Sequence, residues 1–198
     1  MIGVLIAVSL VPFYLLGAFP TGYLMAKMRG VDITAVGSGN VGATNVSRVL
    51  GRKAGIMTLF VDVFKGAFGV AVASGLSSSP LFVGLCAVAV VAGHCFSVPP
   101  YLKGGKGVAT ALGVITVLSF QTGVVALVVF LAMFAAKRIV SLSSISAALA
   151  VPAYAMAVNL PSYVAASEAC IAVLLVYRHR ENIQRLIEGR EPKFTTRK

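Results

Sequence analysis

The sequence predicts an all-α integral membrane protein: a polytopic bundle of about seven transmembrane helices, N-terminus outside and C-terminus cytoplasmic. Three observations carry that expectation. Of 198 residues, 58% are hydrophobic and 12% charged, about half the charge of an ordinary soluble domain. Mean hydropathy is +0.93. A soluble globule cannot hide so much apolar side chain, because folded domains of about 150 residues leave about a third of their unfolded surface exposed. Finally, the basic residues are sorted by loop. Together these exclude a soluble enzyme, a disordered chain and a disulfide-stapled secreted module.

A span needs about 20 mostly apolar residues, fewer where the bilayer thins. Apolar stretches fall at 1–26, 54–75, 81–98, 107–118, 122–136, 142–158 and 162–177, with Asp62, Lys65 and Glu168 the only Asp, Glu, Lys or Arg inside them. The first is interrupted by Pro12 and Pro20 and has no Lys or Arg before Lys27. A cleavable signal would begin with basic residues, so this stretch reads as a genuine first span. The fourth is short, and one fewer span with a re-entrant segment is the competing arrangement. The connections 27–53, 102–106 and 137–141, with the tail from Arg178, hold every Lys and Arg except Lys65. The alternate connections hold none, so the positive-inside rule places the basic set in the cytoplasm. The chain forms a single domain, 1–198, with 178–198 as a cytoplasmic interfacial tail.

The net charge of +11 comes from a shortage of acids, six against 17 basic residues. No Lys/Arg patch is interleaved with aromatics, so no nucleic-acid partner is expected. Cys86, Cys95 and Cys170 make neither a C-x-x-C pair nor a metal-ligand spacing. With only two His residues, away from acidic partners, no metal or cofactor is expected. No obligate protein partner is visible.

The chemistry-bearing residues gather in the cytoplasmic connections. The first contains Gly37, Ser38, Gly39, Asn40, Gly42, Ala43, Thr44, Asn45 and Arg48. Glycines let successive N–H groups converge on an anion. Val46, Val49 and Leu50 at helical spacing predict a short helix from Ala43, whose N-terminus adds free amides. Thr44 and Arg48 share a face of it. The second connection contains Gly104, Gly105, Lys106 and Gly107; it is no Walker A loop, but a Lys bracketed by glycines suits a phosphate oxygen. In the tail, Ile183, Leu186 and Ile187 form an apolar stripe, and His179 and Asn182 share a face. Taken alone, His179 among arginines reads as a solvated side chain. Asp62 and Lys65, three apart inside the second span, can neutralise each other. His94 either bonds a backbone carbonyl or lines the site. Glu168 needs a partner from another helix. The ligand class is a phosphate carrying hydrocarbon, or two ligands of which one is lipidic.

Ser38-Gly39-Asn40-x-Gly42-Ala43-Thr44-Asn45-x-x-Arg48 resembles the first signature of the bacterial acyl-phosphate:glycerol-3-phosphate acyltransferases, the PlsY family. Gly93-His94-x-Phe96 with Lys103-Gly104-Gly105-Lys106-Gly107-Val108-Ala109-Thr110 is similar to the second. The serine run at 141–144 resembles a third, and Arg178-His179-x-x-Asn182-Ile183-x-Arg185-Leu186 with Gly189 the family tail; Asp62-x-x-Lys65-Gly66 fits as well. Ser97 stands where the family usually has Pro, and Leu102 where an aromatic residue is common.

The resemblance implies acyl transfer from acyl-phosphate to the 1-hydroxyl of glycerol 3-phosphate, in the bacterial cytoplasmic (inner) membrane. The products would be lysophosphatidic acid and phosphate. The expected catalytic set is Ser38, Arg48, Lys106, His179 and Asn182. The expected substrate-binding set is Gly39, Asn40, Gly42, Ala43, Thr44, Asn45, Gly104, Gly105, Gly107 and Ser143. The H-x4-D machinery of other acyltransferases is absent, since Pro99 and Gln184 stand where Asp would follow His94 and His179. The rival reading is a transporter or exchanger of an organic phosphate, which would require repeat symmetry and a midplane site.

Overall fold

A computed structural model describes residues 2–97 and 103–194. Met1, the Pro99-Pro100 helix end, Leu102 and the last four residues of the tail lie outside them. Among the described residues the only regular elements are helices: α1 (Ile2–Ala18), α2 (Thr21–Lys27), α3 (Ala43–Leu50), α4 (Arg52–Leu76), α5 (Pro80–Phe96), α6 (Val108–Leu118), α7 (Phe120–Lys137), α8 (Val140–Ala157), α9 (Ser162–Arg178) and α10 (Arg180–Ile187). Each apolar stretch of the sequence coincides with one helix, except the first. That one breaks at Phe19-Pro20, and its halves Ala7–Ala18 and Thr21–Lys27 bend by 41°. Proline removes an N–H and crowds the preceding turn; the break falls at Pro20, whereas Pro12, also expected to interrupt the stretch, sits inside a continuous α1.

Local chemistry sets the other boundaries. Pro80 opens α5 behind Ser79, whose Oγ accepts from Phe82 N. Ser119 alone separates α6 from α7 and caps the latter by accepting from Thr122 N. Gly51, at φ +90, turns α3 into α4. Among the described residues three helices are long and apolar enough to cross a bilayer: Arg52–Leu76, Phe120–Lys137 and Val140–Ala157, with the bent pair as a fourth. Pro80–Phe96 and Val108–Leu118 are apolar but shorter.

Lipid tails are as apolar as a protein core, so helices in a bilayer associate through close packing and polar ties. Both are visible. A Cβ on Gly17 would stand 1.9 Å from Val90 O, and one on Gly93 1.9 Å from Tyr14 O, so α1 and α5 touch backbone to backbone. Gly66 and Gly113 do the same for α4 and α6, at 2.1 Å from Thr110 O and 2.0 Å from Val63 O. Around these contacts Val70, Val90, Val91, Val114, Val151 and Ile171 form the main core. Phe60, Phe64 and Phe68 point outward along α4, a face suited to lipid. Polar ties bridge helices too: Glu168 is fully buried and bonded to Thr122 across α7 and α9, 2.5 Å apart.

Candidate functional site: two glycine loops and the α9–α10 joint

The loop ahead of α3 is shaped by one side chain. Asn45 is 2% exposed; its Oδ1 accepts from Ser38 N at 2.9 Å, and its Nδ2 donates to Val36 O at 3.1 Å and Ile33 O at 3.4 Å. Asn45 therefore folds the loop rather than presenting its amide to a ligand. Asn40 Oδ1 accepts from Gly42 N at 2.8 Å and Val36 O from Gly39 N at 3.1 Å, so two amides of the expected nest are already engaged. Gly37 and Gly39 take φ of +63 and +67, the left-handed region that Gly adopts without strain. Underneath, Ile33, Val41, Val46 and Ala54 form a satellite core. Helix α3 begins at Ala43 as expected. The Arg48 guanidinium, half-buried on it, makes neither ion pair nor hydrogen bond among the described residues.

The loop ahead of α6 is held from outside. A Cβ on Gly104 would lie 2.0 Å from Cys95 O, and one on Gly105 2.3 Å from His94 Nε2. Gly107, at φ +80, packs against Cys95 Sγ and Leu175. These three glycines thus seat the loop on the ends of α5 and α9. Arg178 clamps it, donating from Nε to Gly105 O and from Nη2 to Gly104 O, both at 3.0 Å. The same guanidinium stands over the Phe96 ring. At the foot of this loop Ser97 has φ +55. A pyrrolidine ring cannot take that angle, so the Ser in place of the family's usual Pro goes with a different local backbone.

The third part is the joint between α9 and α10. His179 is 2% exposed, not solvated as its neighbours in sequence imply. Its Nδ1 lies 2.8 Å from Leu175 O. A carbonyl only accepts, so Nδ1 carries the proton and Nε2 is left with its lone pair. Burial pulls His179 down to about 4, assisted by the Lys106 and Arg178 charges against the opposing Leu175 bond and Glu191. It is a neutral imidazole at pH 7. Lys106 is likewise pulled down to about 8 by burial, with Glu191 opposing.

Glu191 organises this joint. Its Oε1 accepts from Ser141 Oγ and Asn182 Nδ2, each at 2.6 Å, and its Oε2 accepts from Arg185 Nε at 2.7 Å. Burial would raise its carboxyl, but the hydrogen bonds from Ser141, Asn182 and Arg185 outweigh it and hold it below the usual range. Farther along the tail, Phe194 N donates to Arg138 O and its ring packs on Phe134.

The structure thus gathers Lys106, His179 and Asn182 into one electrostatic neighbourhood. It adds Arg178, Arg185, Ser141 and Glu191, which were not among the expected site residues. The tail holds three acids, Glu181, Glu188 and Glu191, and no local signal singled out Glu191. Ser143, expected to bind substrate, is fully buried and donates to Ile139 O one turn earlier. Successive helical residues turn by about 100°, so Ser141 and Ser143 face different ways and only Ser141 reaches the joint. Asp62 and Lys65 do pair, at 2.9 Å. His94 lies against the second loop and 3.2 Å from Thr110 Oγ1. Among the described residues no group of three or more His, Cys, Asp and Glu side chains could hold a metal ion.

Fold and site together define a multi-pass membrane protein whose polar groups gather at two glycine loops and a Lys–His–Asn joint. Comparison with known proteins sharpens the class. The chain belongs to the glycerol-3-phosphate acyltransferase family, whose profile matches residues 7–189. It is 45% identical to the glycerol-3-phosphate acyltransferase of Geotalea daltonii over 94% of this chain and 96% of that one. The Aquifex aeolicus enzyme of the same name is also 45% identical, over 91% and 95%. A crystal structure of PlsY (YgiH), an integral membrane glycerol 3-phosphate acyltransferase in its glycerol 3-phosphate form, superposes with a TM-score of 0.90. It is 40% identical, with 96% of each chain covered. The lysophosphatidic acid form of PlsY gives 0.86 at 42% identity, with the same coverage.

Proposed function

We propose that this glycerol-3-phosphate acyltransferase uses acyl-phosphate as donor and acylates the 1-hydroxyl of glycerol 3-phosphate, supplying phospholipid synthesis. One observation carries the reading: a half-buried Lys106 and a buried His179 stand in one electrostatic neighbourhood with Asn182 and Glu191, beside a glycine loop and apolar helices. Both reactants carry phosphate and the donor also carries hydrocarbon. A site at the junction of anion loops and lipid-facing helices meets both needs. The rival transporter reading gives way to family membership.

In the proposed reaction the 1-hydroxyl oxygen attacks the acyl carbonyl carbon. The new ester C–O bond forms, the bond between carbonyl carbon and phosphate oxygen breaks, and phosphate leaves with the hydroxyl proton. Acyl-phosphate is already activated, so the protein chiefly positions the reactants and stabilises the developing oxyanion. The free amides of 39–44 and Thr44 hold the donor phosphate. Ser38, Arg48, Lys106 and His179 hold glycerol 3-phosphate, and Asn182 orients its attacking end. A donor phosphate oxygen takes the proton, with His179 as an acceptor of a substrate hydrogen bond. The loop glycines serve by letting backbone approach backbone. No cofactor takes part.

The arrangement in the membrane is part of the proposal: seven spans in a single domain, N-terminus outside, tail and site in the cytoplasm, in a bacterial inner membrane. The loop charges support it, because Lys and Arg gather on alternate connections, as the positive-inside rule requires. Detergent-solubilised protein should release phosphate from acyl-phosphate only when glycerol 3-phosphate is supplied, and should form a 1-acyl product. Turnover with a thioester donor and none with acyl-phosphate would overturn the donor assignment. If His179→Ala abolished chemistry while both substrates still bound, His179 would be the base and the substrate-assisted step would fail.

A further inference from the structure

Away from the anion loops, the buried polar groups converge on one carboxylate. Asp62, on α4, is 2% exposed, and its Oδ1 accepts from Lys65 Nζ at 2.9 Å and from Thr21 Oγ1 at 3.1 Å. His94 packs its Nδ1 3.7 Å from the same oxygen, a contact beyond hydrogen-bond reach, and bonds Thr110 Oγ1 at 3.2 Å. Lys65 also donates to Phe19 O at 2.9 Å, inside the break between α1 and α2. Neutralising a membrane-buried charge needs only the Asp62–Lys65 pair. The remaining arms lead elsewhere.

One arm leads to the first loop. Thr21 is followed by Gly22, where a Cβ would stand 1.9 Å from Val41 O and 2.9 Å from Val46 Cγ2. Helix α2 therefore presses on the 40–44 turn with no slack. The other arm leads to the second loop. The His94 carbonyl accepts from Gly105 N at 2.9 Å, and its ring leaves no room for a Cβ on Gly105. A small cavity lined by Thr21, Gly22, Val41, Asp62, His94 and Gly104 lies between the two arms.

We propose that Asp62 is a positioning residue that fixes the spacing of the two anion-binding loops, through Thr21 to 40–44 and through His94 to 104–107. The proposal rests on the acyltransferase reading. Each loop has internal or neighbouring contacts that give it its shape, so the donor phosphate, held on 39–44 alone, stays bound without Asp62. Glycerol 3-phosphate, held from both loops, and the transfer itself depend on their spacing, because a displacement of about 1 Å between reacting groups can cost about a hundredfold. Loss of the Asp62 arms lowers turnover and spares donor binding.

Thr21→Val removes one arm and leaves volume and charge nearly unchanged. The full-length variant in detergent should lose kcat by about ten- to a hundredfold, with the donor KM within about threefold of wild type. Tm should stay near wild type, and Thr21→Ser should recover most of kcat. Asp62→Asn, provided it folds, should show the same split; the Thr21 variants decide the matter if it does not. An unchanged kcat per folded enzyme, a loss confined to one KM, or a failure of Thr21→Ser to rescue would each overturn the positioning role. Wild type in the same assay separates the two readings. If wild type does not turn over, the acyltransferase reading falls; if it does and Thr21→Val matches it, only the role of Asp62 falls.

Discussion

The two glycine loops reach similar ends by opposite means. The loop ahead of α3 is shaped from within: Asn45 bonds Ser38, Val36 and Ile33, and Asn40 bonds Gly42. The loop ahead of α6 is shaped from without, by Arg178 from α9 and by the backbone and ring at the end of α5. A loop that carries its own scaffold can tolerate movement of its neighbours. A loop clamped by two helices reports every shift in them. The difference predicts where damage stays local and where it spreads.

The largest expected effect lies in the externally held loop. Lys106→Met removes the cation while keeping the length of the stem. Charge-assisted contacts to a developing or bound anion, lost from a water-poor site, cost about 10²- to 10³-fold in rate. Steady-state kcat/KM for glycerol 3-phosphate should fall by that amount. The fold should hold, because Lys106 makes no hydrogen bond or ion pair among the described residues. A loss below tenfold would show that Lys106 merely anchors the loop at the membrane surface.

The same contrast explains how much was legible in the sequence. Helix α3 could be placed from Val46, Val49 and Leu50, and the spans from apolar stretches, because both signals are local. The break after Ala18 could be placed from Pro20. The polar joint could not. Glu191 meets Ser141 across 50 positions, and Arg178 meets Gly104 across 74, distances over which periodicity carries no information. His179 reads as solvated among arginines, yet tertiary packing buries it and leaves its neighbours outside. A serine run names a helix end but not which hydroxyl faces the joint, and only the fold shows that Ser141 bonds Glu191. Asn45 was recognised as a polar loop residue, but only the folded backbone shows that its amide is spent on the loop itself.

Two substitutions of middling effect test the contrast directly. Asn45→Ala deletes three hydrogen bonds under the first loop, and buried bonds of this kind are worth about 1 kcal/mol each. Arg178→Met frees two loop carbonyls and removes the stacking on Phe96. Hydrogen–deuterium exchange should rise only in 33–42 for Asn45→Ala. For Arg178→Met it should rise in 103–107 together with the ends of α5 and α9. If Asn45→Ala loosened 103–107 as strongly as its own loop, the distinction between internally and externally shaped loops would collapse.

The smallest effect is the dependence on pH, and here the two halves of the polar joint separate. His179, held down to about 4, stays neutral across the working range and contributes no limb above pH 5. Lys106, held down to about 8, loses its charge as pH rises through that value. The charged form binds phosphate, so kcat/KM for glycerol 3-phosphate should fall above pH 8, by about tenfold at pH 9, one unit past the midpoint. The acidic limb belongs to the substrate, whose phosphate takes a proton near a pH of about 6. Bound phosphate favours the ammonium, so the alkaline limb of kcat should lie higher than that of kcat/KM. Lys106→Arg should carry the alkaline limb out of range, since a guanidinium stays charged. An alkaline limb that stayed near 8 in Lys106→Arg would assign it to another group and remove Lys106 from the binding step.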